Sequence, residues 1–398
     1  MKKILLLLSA ILIMLSCSKV SDTMIVDLAR LSADYEVKDG ETLTGILGEY
    51  YKITIADGAT VTLNSAVIYG ANEKAYSWAG ITALGDATLI LAGTNIVKGF
   101  YEEFPGIFVP EGRTLTIKGE GKLDVSSSGY CPGIGSEGIG GKHCGNIVIQ
   151  GGTIRACGGE GSAAIGSGWT NSCGDITLSG GTVTATGGES GAGIGSGSVA
   201  SCGNIIINGG TVMAEGGISG AGVGCGQNAT CGTVSIIEGS VTAKGGSDAA
   251  GIGSGDSFEE DDEDDDEDED EDDDDVSDAT SICGDITISG GTVVAKCHSI
   301  LSAAAIGSGR DSRCGNILIS GGTVSAEGGY KSAGIGTSER GSVGNITITS
   351  GVTQVLAVKW DEKTPHSIGG GIDYVSIGIV TVGGKEGPVS ESPFIYKP

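Results

Sequence analysis

The sequence has little basic charge and no basic patch. Lys and Arg number 23 against 50 Asp and Glu, which argues against a nucleic-acid partner. Beyond a short apolar stretch at the N-terminus, no hydrophobic run reaches membrane-spanning length. Helix-length apolar periodicity is missing, so helix-pair repeats are set aside. No Cys-x-x-Cys pair occurs, and His143 and His298 merely adjoin a cysteine, so a zinc site is not expected. Neither a serine-triad nor a nucleophilic-cysteine signature is present. Aromatics are few: 3 Trp, 10 Tyr and 5 Phe.

What is abundant is glycine, at 74 of 398 residues, and it is spaced rather than scattered. From Cys144 onward the chain repeats every 29 residues, with Cys-Gly at Cys144, Cys173, Cys202 and Cys231, then at Cys283 and Cys314, and Val343 in the same slot at the end. Each copy carries short runs of period two, such as Ile-Thr-Leu and Val-Thr-Ala, separated by Gly pairs. One such unit cannot bury its own apolar face and must stack on its copies. The expected fold is all-β: a right-handed parallel β-helix of about ten turns, each about 29 residues long. An Ala/Pro-Gly/Ala-Ile/Val tripeptide marks one strand of each turn from Ala79–Ile81 to Ala333–Ile335. Alternation assigns Ile176, Leu178, Val183 and Ala185 to the inside. The Asn or Asp that follows Cys-Gly (Asn146, Asp175, Asn204, Asp285, Asn316) reads as turn chemistry and not as catalytic.

The expected layout has a lipoprotein signal peptide at 1–16 and a lipid-anchored tether and N-terminal cap at 17–34. The β-helix takes 35–352, with an acidic disordered insert at 256–282, and a capping segment follows at 353–398. Lys2, Lys3 and the apolar stretch Ile4 to Leu15 form the leader. The Leu-Ser-Cys that follows resembles a bacterial lipobox and makes Cys17 the lipidated residue. The expected location is the outer membrane, lipid-anchored and facing outward.

The residues that could carry function are sparse. Six cysteines in register read as a buried thiol ladder; a disulfide between neighbouring rungs is the open alternative. Seventeen consecutive acidic residues, Glu259 to Asp275, lack EF-hand spacing; they fit a solvated loop with weak calcium association at most. The aromatics cluster just before the Ala-Gly-Ile strand of the early turns. Trp78, Tyr101, Glu102 and Tyr130 are the candidate glycan-binding residues, because ring faces suit sugar C–H surfaces and a carboxylate accepts from hydroxyls. The same aromatics also fit a covering role over the first rungs. No catalytic residue is assigned, and no resident cofactor is expected.

The Cys283–Val293 unit CGDITISGGTV, the AGIGSG segment, the lipobox start and the SPFIYKP ending resemble a group of bacterial surface lipoproteins described as β-solenoid or carbohydrate-binding-domain-like. The architecture is similar to the pectin-lyase-like parallel β-helices. The resemblance implies a non-catalytic glycan-binding or adhesive surface protein. The architectural likeness leaves a polysaccharide lyase or glycoside hydrolase as the alternative.

Overall fold

The computed structural model describes residues 24–257, 280–297, 302–373 and 375–398. Cys17, the acidic run Glu259 to Asp275 and His298 lie outside the described residues.

The described chain is a parallel β-solenoid built of three sheets of 22, 12 and 7 strands. One turn runs through Ser172–Cys173, Ile176–Leu178, Thr182–Thr186 and Ile194–Gly195. Each strand pairs with its copy one turn on: Cys173 with Cys202, Ile176 with Ile205, Val183 with Val212, and Ile194 with Val223. Period-two alternation makes this arrangement possible. Ile176, Leu178 and Val183 are fully buried and Ala185 nearly so, while Thr177 and Thr184 face outward and are only half-buried. Each fully buried Ile, Leu or Val contributes about 1.5–3 kcal/mol, and the contribution arises only when a neighbouring turn covers it.

The twelve-stranded sheet counts the rungs, from Tyr35–Val37 to Ile368–Gly369. At about 4.8 Å per step the rod is roughly 50 Å long. The Cys-Gly signature fades at Val343, yet parallel register continues: Gln354–Val358 pairs with Thr323–Glu327, and Val380–Val382 pairs with Ile346–Ile348.

The corner after Cys-Gly is held by a relay of side chains. Asn146 Oδ1 accepts the Asp175 N–H at 2.9 Å, and Asp175 Oδ1 accepts the Asn204 N–H at 2.7 Å. Asn204 passes the same bond to Thr233, Asp285 to Asn316, Asn316 to Asn345 and Asn345 to Ile379. The relay begins before the Cys-Gly turns, with Asp57 to Asp86 and Asp86 to Thr114. Each short acceptor satisfies a corner N–H that the strand ladders leave open.

Both ends of the rod have their own pairing. Ile25–Asp27 adds a parallel strand beside Thr42–Ile46, with Leu28 fully buried behind it. At the other end Lys385–Glu386 folds back antiparallel on Thr381–Val382, and Phe394–Tyr396 runs antiparallel to Val355–Ala357. Such reversals occupy edge groups that another chain could otherwise pair with.

Candidate functional site

The loops that precede the twelve-stranded sheet stack along one edge of the rod. The Phe100 N–H donates to the Trp78 carbonyl at 3.1 Å, and the Tyr130 N–H donates to the Glu102 carbonyl at 2.8 Å. The Trp169 N–H reaches the Tyr130 carbonyl from the next turn at 3.3 Å. Backbone register therefore places Trp78, Tyr101, Glu102 and Tyr130 on neighbouring loops, all half-buried.

Their environments differ. Trp78 belongs to a four-ring cluster: its ring centroid is 5.6 Å from Tyr76 and 5.6 Å from Phe100, and Tyr50 closes the group at 4.7 Å from Tyr76. Phe100 is fully buried, and the Trp78 indole Nε1 is buried without a hydrogen-bond partner. Trp78 thus packs against the first rungs, with only part of its surface open. Tyr130 packs instead against Trp169, with ring centroids 5.4 Å apart and planes tilted by 55°, a half-buried pair on the same edge. Trp169 follows its strand instead of preceding it, so the spacing of aromatics before the Ala-Gly-Ile strand does not single it out. Beside this edge, a shallow recess is lined by Phe108, Pro110, Glu111, Lys142 and His143. The Lys142 ammonium sits 5.9 Å from the Phe108 ring centroid.

A second aromatic pair stands in the same loop position near the far end. Tyr330 and Trp360 lie 6.2 Å apart, and each is about 40% exposed, at 41% and 40%. Trp360 shares a recess with Asp361, Glu362, Ser390 and Ser392. The nearby C-terminal segment carries no repeat signature, so local sequence did not single out this pair.

The ten described cysteines are free thiols. Cys173, Cys202, Cys231, Cys283 and Cys314 form an in-register column, all buried. Hydrogen bonds from Cys202, Cys225 and Cys283 hold the Cys231 thiol well below the ordinary range. The neighbours move the other way: Cys202 through its bond to Cys231, and Cys225 chiefly through burial.

One carboxyl is out of the ordinary. Asp256 is 4% exposed and its Oδ1 has no hydrogen-bond partner. Burial, reinforced by the Asp248 charge and offset in part by Arg310, raises its pKa from 3.8 to about 7. Between about pH 4 and pH 7 the folded chain holds a proton that the unfolded chain has lost, so stability falls as pH rises through this window. The loss is complete above the folded pKa. A carboxyl shifted this far penalises the ionised fold by up to about 4 kcal/mol. The expected result is a higher urea midpoint at pH 5 than at pH 8. Asp256→Asn should remove most of that difference. Some should remain, because burial also raises Asp248. An unchanged pH slope in the Asn variant would contradict the assignment.

A family model described as "Beta helix repeat" matches this chain six times, at 147–169, 176–198, 205–227, 234–256, 286–310 and 317–339. Each match begins at an inward Ile or Val of the Ile176 position, and the break after 256 coincides with the acidic insertion. Comparison with curated proteins and comparison with solved structures each gave no match.

Proposed function

We propose that this β-helix repeat protein is a non-catalytic cell-surface lipoprotein whose loop edge binds glycans or mediates adhesion. The carrying observation is that one edge of the rod collects half-exposed rings on stacked loops: Tyr101, Tyr130 and Trp169 toward one end, Tyr330 and Trp360 toward the other. Carboxylates stand among them at Glu102, Glu103 and Asp361. Ring faces beside acceptors suit sugar rings, whose C–H faces are apolar and whose hydroxyls donate. A rung step of about 4.8 Å approaches the length of one sugar residue, so an extended glycan can follow this edge. Trp78 supports the edge by packing, and Glu102 accepts from ligand hydroxyls. Under the same proposal Cys17 carries the lipid that holds the protein at the outer membrane, and Glu259 to Asp275 associates weakly with calcium.

A glycan array probed with the lipid-free chain tests this reading. Tyr101→Ala combined with Tyr130→Ala should weaken any hit about thirtyfold or more, because stacked aromatics dominate such sites. The thermal melt should stay close to wild type. Trp78→Ala should instead lower the melt, since it opens the four-ring cluster. A double variant that binds as well as wild type would return these tyrosines to a covering role.

The second reading, a polysaccharide hydrolase or lyase, draws on Asp256. A buried carboxyl held protonated near neutral pH is what a general acid requires. Its neighbourhood includes Asp248, Asp311 and Arg310. New reducing or unsaturated ends on an array hit, abolished by Asp256→Asn, would favour it.

A further inference from the structure

The sulfur column doubles at one level. The residue after the Ile-Gly pair is Ser136, Ser167, Ser196, Ser254, Ser308 or Thr337 in the other turns from Ile134 to Ile335, each fully buried, and Gly370 follows the last pair. Every one of these hydroxyls accepts a backbone N–H from another turn, for example Gly197 to Ser167 at 3.0 Å and Gly226 to Ser196 at 3.2 Å. Cys225 takes this position once and breaks the pattern. Its sulfur lies 2.9 Å from Cys231 Sγ and 3.3 Å from the Ile282 carbonyl. Cys231 and Cys283 are register partners in the column. The sulfurs of Cys225, Cys231 and Cys283 all lie within 4.8 Å of one another, and all three residues are buried.

We propose that Cys225, Cys231 and Cys283 form a buried binding site for a thiophilic cation, with monovalent copper in trigonal all-sulfur coordination as the fitting ion. Thiolates select soft ions such as Cu(I) and zinc over hard ones. Three sulfurs about 2.3 Å from a central ion in one plane stand about 4.0 Å apart. The Cys225–Cys231 contact of 2.9 Å must open by about 1 Å to match that spacing, and the other separations lie within 4.8 Å. Zinc prefers four ligands; it would have to draw in Cys202 or Cys314, which continue the column on either side of the triangle. All three residues are buried, which limits the access of bulk water and oxidants to a monovalent ion held between them. Binding exchanges thiol protons for the ion, so protons are released as it enters. Sequence spacing hides the site because Cys225 and Cys231 are 6 residues apart while Cys283 comes from beyond the acidic insertion.

A Cys225–Cys231 disulfide is the competing chemistry. It would close the same contact to about 2.04 Å and leave Cys283 unused. The test uses the full chain, reduced under anaerobic conditions and titrated with cuprous ion against a coloured bicinchoninate competitor. One tight equivalent is expected, with ultraviolet thiolate-to-copper absorbance. Cys225→Ser restores the residue that Ser196 and Ser254 carry one turn away, so the melt should hold while affinity falls about a hundredfold or more. Cys283→Val copies Val343 of the same column and should lose the site as well. Cys131→Ser, distant from the triangle, should keep it. Equal cuprous binding by wild type and Cys225→Ser would overturn the proposal. So would purified protein in which Cys225 and Cys231 resist alkylation until reduced, or zinc binding tighter than copper in a parallel titration.

Discussion

Val183→Asp should unfold the middle of the solenoid, whereas Thr184→Asp should leave it standing. Val183 is fully buried and stacked between Ile154 and Val212. A carboxylate there has no partner, and its desolvation costs several kcal/mol even after relaxation. The loss should exceed about 4 kcal/mol, the range reached by unpaired buried charges. A repeat protein draws stability from neighbour-to-neighbour interfaces, so one broken rung uncouples two blocks. Thr184 is only half-buried, and its register partners are Arg155 and Met213. Asp at 184 gains a nearby cation and should change stability by about 0.5 kcal/mol or less. Far-UV circular dichroism melts check both. Equal losses would contradict the assignment of Val183 to the inward face and Thr184 to the outward one.

Gly195→Ala should be nearly as damaging although it adds a single methyl group. Gly195 has φ +140, and a Cβ there would lie 1.8 Å from the Gly224 carbonyl oxygen one turn away. That backbone region is essentially confined to glycine, and the strain alone costs about 1–3 kcal/mol. The clash is with backbone, so no side chain can rotate away. Gly166, Gly224, Gly253, Gly307 and Gly336 repeat the geometry, and this column keeps the twelve-stranded sheet in close contact. Gly112 is the control: φ is +72, but nothing lies within 4 Å of an added Cβ. Gly112→Ala should cost about 1–2 kcal/mol, and Gly195→Ala at least twice as much in urea unfolding. Similar losses for the two would show that the turns can separate to admit a methyl group.

The rungs were legible because their physics is local and repeated. Ile176 and Leu178 alternate with Thr177, and the same alternation returns a fixed distance later, so face and register follow together. Asp175 was readable as a corner residue for the same reason: Asn146 and Asn204 hold equivalent places. Features that depend on a single exception were not legible. Cys225 looks like one more small residue until Cys231 and Cys283 are folded beside it. The four-ring cluster needs Tyr50 from one turn, Tyr76 and Trp78 from the next and Phe100 from a third loop, and no short pattern joins them. Asp256 stands at the start of the acidic insertion and reads as another solvated carboxylate, yet the fold leaves it 4% exposed. Continuation of the rungs to Val382 was hidden because Gln354–Val358 and Val380–Val382 keep the inward apolar alternation without the Cys-Gly punctuation.

The central functional claim is that the edge bearing Tyr101, Tyr130 and Trp169 holds a glycan without cutting it. Affinity electrophoresis through gels containing a polysaccharide hit, with an end-group assay on the same mixture, measures both parts. The expected result is retarded migration of the wild-type chain, near-normal migration of the Tyr101→Ala, Tyr130→Ala variant, and no new reducing or unsaturated ends. Retardation that survives the double variant, or ends that accumulate with time, would contradict the account.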